Sequence, residues 1–344
     1  MRALKLTGPH TVELVGTPVP EPGPGEIRIK VAGAGLCHSD LHVVHWEGEL
    51  PYGFTLGHEG AGWVEAIGSE VTGHVQGQAV LVNLVWACGT CRACLLGRDN
   101  ACMTAGRGEH PATPGLGPDG SMAEYMIVPA RHALPLGGLD PVTAGPLADA
   151  ALTPWHAIGS ARDWLTPSST AVVIGVGGLG HLGVQILAAT TAARIIAVDK
   201  DSGKLDLARR HGAHHTVPAD DAAAAAILAQ TENYGADVVF DFVGVDPTMA
   251  LAAAVVAPEG AIRFVGIGGG SLTYRAAGDA TPLPWGVDIR NSYAGTRADL
   301  VEVIALAQRG HLHVEHTLYP LEEYQRAFDD LAAGRVSGRA IFTP

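Results

Sequence analysis

Cysteine is scarce in this chain of 344 residues, which holds five, and aromatic residues make up only 6% of it. Positive charge is also short. Lys and Arg number 22 against 35 Asp and Glu, a formal net charge of -13, and no basic patch stands out to meet a phosphate backbone. That balance argues against a nucleic-acid binder. No apolar run reaches membrane-spanning length, and the opening stretch "MRALKLTGPH" lacks the apolar core of a secretory signal. A cytoplasmic protein is expected, and thiols there are normally kept reduced. Disulfides are therefore a poor explanation for a chain that spends four of its five cysteines between Cys88 and Cys102.

What is present is glycine, 45 residues, proline, 22, and a hydrophobic content of 47%. This suits an α/β enzyme with many tight turns, and the length allows two domains. Residues 1–150 carry short β-rich runs such as "EIRIKVAG" and "GWVEAIG", punctuated by glycine and proline. From 151 to 291 the texture changes. "TAVVI", "RIIAVD", "DVVFDFVG" and "AIRFVGIG" are buried strands separated by alanine-rich helical segments, the alternation expected of a parallel sheet wrapped by helices. The run Ala222–Ala226 reads as helix. Residues 292–344 return to a mixed pattern and end in an amphipathic stretch, "LEEYQRAFDDLAAG", and a short strand, "GRAIFTP".

Gly175, Gly177 and Gly180 form G-x-G-x-x-G between a strand and a helix, with Asp199 closing the next strand. In that context the motif predicts a dinucleotide site. Gly175 permits a tight turn, Gly177 lets the backbone approach a pyrophosphate, and Gly180 lets helix and strand pack closely. The helix N-terminus offers N–H groups to the phosphates. Asp199 would accept hydrogen bonds from ribose hydroxyls and repel a 2′-phosphate, which favours NAD; Lys200 and Lys204 lie close enough to soften that repulsion.

Cys88, Cys91, Cys94 and Cys102 are spaced C-x2-C-x2-C-x7-C. One loop with such gaps can wrap a tetrahedral ion, and four thiolates make a closed structural zinc site. An iron–sulfur cluster is the rival occupant. The fifth cysteine, Cys37, stands in "GLCHSDLH", ahead of His58 and Glu59 in "GHEGAG". With Asp149 in "LADAALT", Cys37 and His58 offer sulfur, nitrogen and oxygen, three ligands that leave a catalytic zinc one open position. Their spacing does not show that they meet.

These stretches, with "PGPGEIRIKVAGAGLCHSD", "GSMAEY" and "VVIGVGGLG", run in order along essentially the whole chain. It resembles the zinc-containing medium-chain alcohol dehydrogenases, and within them the bacterial NAD-dependent secondary-alcohol dehydrogenases and aryl-aldehyde reductases. The resemblance implies a β-rich GroES-like catalytic domain, residues 1–150, with a zinc lobe at 86–102. It implies a doubly wound Rossmann domain over 151–291 and a return to the catalytic domain over 292–344. Cys37, His58 and Asp149 then resemble the catalytic zinc ligands and the four clustered cysteines the structural zinc ligands, two zinc ions per subunit. Glu59 matches a glutamate that approaches the zinc from behind, and Asp40 a carboxylate that orients the histidine ligand. Ser39 corresponds to the hydroxyl that meets the substrate alcohol, and His42 to a histidine that ends a proton relay.

On the cofactor side, Gly175, Gly177, Gly178, Leu179, Gly180, Asp199 and Lys204 match the fingerprint region. Thr153, Leu179, Val243 and Val265 match residues around the nicotinamide, and Arg339 matches an arginine that reaches the pyrophosphate. Trp46, Trp86, Leu116 and Trp285 are candidate substrate-pocket walls whose bulk suits aryl groups. Gln78 stands where many relatives have aspartate and is expected to loosen a turn. The implied activity is reversible hydride transfer between secondary alcohols or ketones and NAD(H), with an aryl or primary aldehyde reductase as the alternative. A homodimer or homotetramer is expected. A zinc-free reductase and a non-enzymatic binding protein are the competing classes, and both sit poorly with intact ligand and glycine motifs.

Overall fold

The computed structural model describes residues 1–48, 51–274 and 283–344. They fall into two units, one of Met1–Leu152 with Ala294–Pro344 and one of Thr153–Tyr293. The first unit opens with a hairpin, β1 (Arg2–Gly8) against β2 (Thr11–Gly16). Its sheet is built on β3 (Glu26–Leu36) and β4 (Glu59–Ile67), with β5 (Ala79–Val82), β6 (Tyr125–Pro129) and β7 (Ala133–Pro135). Alternation along "EIRIKV" sends Ile27, Ile29 and Val31 into a core with Leu4, Leu6, Val64 and Val128. Gln78 does not loosen its turn. Its Oε1 pairs with His74 Nδ1 at 3.0 Å and accepts the Val75 N–H at 3.4 Å, so the amide ties the turn.

In the second unit, β8 (Thr170–Ile174), β9 (Arg194–Asp199), β10 (His215–Pro218), β11 (Ala236–Asp241), β12 (Val256–Phe264) and β13 (Asp288–Asn291) pair in the order β10-β9-β8-β11-β12-β13, all parallel. Strands β8, β9 and β11 are almost continuous apolar runs because helices cover both faces. The order reverses between β8 and β11, the place where open α/β sheets bind ligands beyond their carboxyl ends.

The chain then returns to the first unit through β14 (His316–Pro320) and β15 (Arg339–Thr343), completing the order β14-β15-β3-β4-β5-β7 with β6 on the other part of β3. Two registers gather distant residues at one end of this sheet. Gly35 of β3 faces Glu59 of β4, so Cys37 and His58, just beyond those positions, emerge side by side. Ala340 of β15 faces Leu36, which brings Arg339 to the same end.

Candidate active site

Cys37 caps the helix His38–Val44, His58 precedes β4, and Asp149 follows the short turn Gly145–Ala148. Their ligand atoms all lie within 4.8 Å of one another. Cys37 Sγ is 3.5 Å from Asp149 Oδ2, and His58 Nε2 is 3.6 Å from the same oxygen. Bonds of about 2.0–2.3 Å to a tetrahedral zinc place neighbouring donors about 3.3–3.8 Å apart. The three side chains therefore have the spacing, and the sulfur–nitrogen–oxygen chemistry, that zinc takes.

The segment carrying Asp149 reaches the sheet because small residues let it. A Cβ on Gly33 would lie 2.0 Å from the Val142 carbonyl oxygen, and one on Gly145 would lie 2.5 Å from the carbonyl oxygen of Glu59. Behind the ligands, Asp40 is fully buried. Its Oδ2 accepts the Cys37 N–H at 2.8 Å and its Oδ1 stands 3.4 Å from His58 Nδ1, which leaves Nε2 facing Asp149. Burial works against a charged His58, but Asp40 and Asp149 outweigh it and hold the ring's pKa well above its ordinary value. A pocket that retains a proton so firmly is electrostatically prepared for a cation.

Glu59 and Arg339 form a bidentate pair inside the protein, Nε to Oε2 at 2.9 Å and Nη2 to Oε1 at 2.6 Å. Burial pushes the Glu59 carboxyl up, and Arg339 pulls it back. Arg339 Nη2 also reaches Asp149 Oδ2 at 3.3 Å. Arg339, expected at a pyrophosphate, has its guanidinium on Glu59 and Asp149 in this structure. The register of β15 on β3 delivers its guanidinium to buried Glu59 and to half-buried Asp149, itself one of the three candidate metal ligands. Sequence reading missed Gly35, where a Cβ would fall 1.9 Å from Glu59 Oε2; a glycine inside a strand was the available signal. Ser39 Oγ lies 3.7 Å from Cys37 Sγ, and His42 is exposed on the same helix.

The four clustered cysteines also converge. Cys88 and Cys94 sulfurs are 3.9 Å apart, Cys91 and Cys94 3.5 Å, and Cys91 and Cys102 3.9 Å. Two thiolates on one tetrahedral zinc are about 3.8 Å apart. An iron–sulfur cluster spreads its thiolates over more than one iron, which fits this tight packing less well. The Thr90 N–H and hydroxyl and the Cys91 N–H pull the Cys88 thiol down to about 5, while burial, with neighbouring sulfurs, pushes Cys94 up to about 12. Four thiolates in so small a space need a cation among them.

In the second unit the three fingerprint glycines have separate local reasons. Gly175 has φ +87°, which a side chain resists. A Cβ on Gly180 would lie 1.8 Å from the Gly175 carbonyl oxygen, whereas one on Gly177 would meet no protein atom within 4 Å. Asp199 Oδ2 accepts the Val176 N–H at 2.7 Å and Oδ1 accepts the Asp201 N–H at 3.0 Å, so the carboxylate is fixed at the edge of the turn. Gly178 and Leu179 complete that turn ahead of the helix Gly180–Thr190. Lys204 lies in the first turn of the helix Ser202–Arg210, and Thr153 at the start of the unit is buried. Val243 and Val265 follow β11 and β12.

The four candidate wall residues stand in different local settings. Trp86 stacks on His132 with ring centroids 6.1 Å apart, Leu116 lies on a loop, and Trp46 follows the helix His38–Val44. Trp285, in the second unit, is 76% exposed.

Comparison with known proteins accounts for this combination. Residues 23–138 match the alcohol dehydrogenase GroES-like domain and residues 178–309 the zinc-binding dehydrogenase domain. An NAD-dependent alcohol dehydrogenase of Sulfurisphaera tokodaii is 33% identical, over all of both chains. The crystal structure of the alcohol dehydrogenase from Aeropyrum pernix superposes with a TM-score of 0.91 at 32% identity, covering both chains fully. Acetophenone reductase from Geotrichum candidum, solved in complex with NAD, gives a TM-score of 0.86 at 29% identity over 100% of this chain and 97% of that one. With a metal-ligand triad, a four-cysteine lobe and a glycine-rich turn on a doubly wound sheet, the chain belongs to the zinc-containing medium-chain alcohol dehydrogenases, a family of oxidoreductases.

Proposed function

We propose that this protein transfers hydride reversibly between secondary alcohols, or their ketones, and NAD(H), and does so in the cytoplasm as a homodimer or homotetramer. The observation that carries this reading is the meeting of Cys37, His58 and Asp149, with Asp40 behind His58. The names of the Sulfurisphaera and Geotrichum proteins support NAD and a ketone bearing an aryl group. Asp199 supports NAD on physical grounds, because its fixed charge disfavours a 2′-phosphate beside it.

Cys37, His58 and Asp149 would hold one zinc, and Cys88, Cys91, Cys94 and Cys102 another. Zinc supplies a Lewis acid that lowers the pKa of an alcohol, and NAD supplies the hydride acceptor. The protein's own groups do the rest. Asp40, with Oδ1 3.4 Å from His58 Nδ1, favours a proton on that nitrogen, which would leave Nε2 to ligate. Arg339 holds buried Glu59 and half-buried Asp149 in place, two carboxylates that would otherwise repel. Ser39, beside Cys37, would relay the alcohol proton by giving up its own hydroxyl proton as it accepts one, and exposed His42 is where the relayed proton could leave to water. Gly175, Gly177, Gly178 and Gly180 give the pyrophosphate access to backbone N–H groups. Asp199 and Lys204 would face the adenosine ribose, and Thr153, Leu179, Val243 and Val265 would lie about the nicotinamide. Trp46, Trp86, Leu116 and Trp285 are the proposed walls for the substrate.

The test is the NAD-linked oxidation of 1-phenylethanol against 2-phenylethanol, repeated with NADP. Faster turnover of 1-phenylethanol with NAD is expected. Preference for 2-phenylethanol would make the protein an aldehyde reductase with the same metal chemistry, and preference for NADP would overturn the role given to Asp199.

A further inference from the structure

One buried acid in the second unit has no place in the chemistry above. Asp241 closes β11 at the point where strand order reverses, and no part of it is exposed. Its Oδ1 accepts the N–H groups of Val243 at 2.8 Å and Gly244 at 3.0 Å, and its Oδ2 accepts the Thr248 hydroxyl at 2.8 Å. Burial pushes the carboxyl above its ordinary range, and those donors pull against it. The backbone carbonyl of the same residue accepts the N–H groups of Val265 and Gly266, at 2.9 and 3.0 Å. Asp241 therefore holds the turn after β11 with its side chain and the loop after β12 with its main chain.

Both segments are packed without slack. A Cβ on Gly266 would stand 2.3 Å from the Val243 carbonyl carbon, and one on Gly268 2.6 Å from Val245 Cγ1. The Gly268 and Gly270 N–H groups donate to the Val243 and Gly244 carbonyls at 3.1 and 2.8 Å. On its other side the turn touches the glycine fingerprint itself, since a Cβ on Gly175 would lie 2.4 Å from Val243 Cγ2. A displaced Val243 would thus move against the phosphate-binding turn and the loop of Val265 together.

We propose that Asp241 is the positioning residue for the nicotinamide end of the dinucleotide, setting Val243 and Val265 by bracing the turn against Gly175 and the loop against the turn. This rests on the reading of the second unit as the NAD site. Asp237 provides the comparison, because it lies on the same strand at the opposite end, where its carboxylate accepts the Thr170 N–H at 2.7 Å.

The experiment measures NADH Kd by fluorescence titration, KM for NAD and Tm for the holoenzyme and for Asp241→Ala, Asp241→Asn and Asp237→Ala. Asp241→Ala should raise the NADH Kd and the KM for NAD at least tenfold while the KM for the alcohol moves less than threefold. Asp241→Asn keeps an oxygen for the two N–H groups and should stay within threefold of the parent. Asp237→Ala should lower Tm and leave the NADH Kd unchanged. The proposal is overturned if Asp241→Ala binds NADH as the parent does, or if Asp237→Ala loses as much affinity for the same loss of Tm. Should Asp241→Ala fail to fold, Thr248→Val decides: a severalfold weaker NADH Kd upholds the proposal and an unchanged one removes it. A parent protein that binds neither NADH nor NADPH removes the NAD reading and this one with it, an outcome separate from equal binding by parent and variant.

Discussion

Cys37 illustrates what a single residue reveals and what it hides. By itself it is a buried thiol between a strand and a helix, and 112 positions separate it from Asp149, whose oxygen it approaches to 3.5 Å. No spacing rule reaches that far; family resemblance supplied the ligand set, and strand register explains how Cys37 and His58 meet. Arg339 shows how a contact made far along the chain escapes the sequence. The arginine is recognisable in "SGRA", yet its pairing with Glu59 spans 280 residues and depends on β15 adding to β3. Replacing Cys37 by alanine is expected to lower turnover by about a thousandfold or more, the several kcal/mol that a Lewis acid contributes to a transition state. Metal analysis should fall from two zinc ions per chain to about one, with NADH binding retained. A Cys37→Ala variant with near-parental turnover would refute the ligand assignment.

Elements differ in how openly they declare themselves. The cysteine lobe was readable because its ligands are local, and the strands β8, β9 and β11 because both faces are buried and their apolar runs unbroken. The edge strand β13 was not read, since "DIRN" is short and largely exposed. What holds it is Arg263, fully buried, which donates to the Asp288 side chain at 2.6 Å and to Ser160 Oγ at 2.8 Å and lies over the Trp164 ring. A charge inside a strand gives no sign in sequence that its partners await it. For the lobe, Cys91→Ser should remove the structural metal and lower Tm, seen as loss of one zinc per chain; an unchanged Tm would argue against a structural ion.

The segment beside the lobe holds one group that links stability to pH. Burial, with Arg131 and Arg297 nearby, lowers His132 to about 4, so it stays neutral in the fold where a free histidine would gain a proton. Below its unfolded value the unfolded chain binds the extra proton, and stability is lost as pH falls from about 6.5 to about 4, by at most about 3 kcal/mol. Melting curves across that range should show His132→Phe losing less stability than the parent on acidification. Equal acid slopes would show that His132 is not the group responsible.

At the scale of the whole molecule, the chain divides its tasks between two units. Both metal-ligand clusters belong to the unit that contains the termini, and the glycine fingerprint belongs to Thr153–Tyr293. Metal chemistry and dinucleotide affinity should then be separable. A site of three protein ligands would leave its ion one open position, whereas four thiolates would close around theirs, so a chelator should take the first metal well before the second. Mild chelation is expected to abolish turnover with little change in Tm or in NADH Kd, and added zinc should restore the rate. Prolonged chelation should remove the second ion and lower Tm, because the lobe loses the cation that lets its thiolates lie together. Zinc content, turnover, Tm and NADH titration followed on one sample would test the division. Loss of NADH binding in step with the first zinc would mean that the two tasks are coupled, and that the dinucleotide site needs the metal ligands to form.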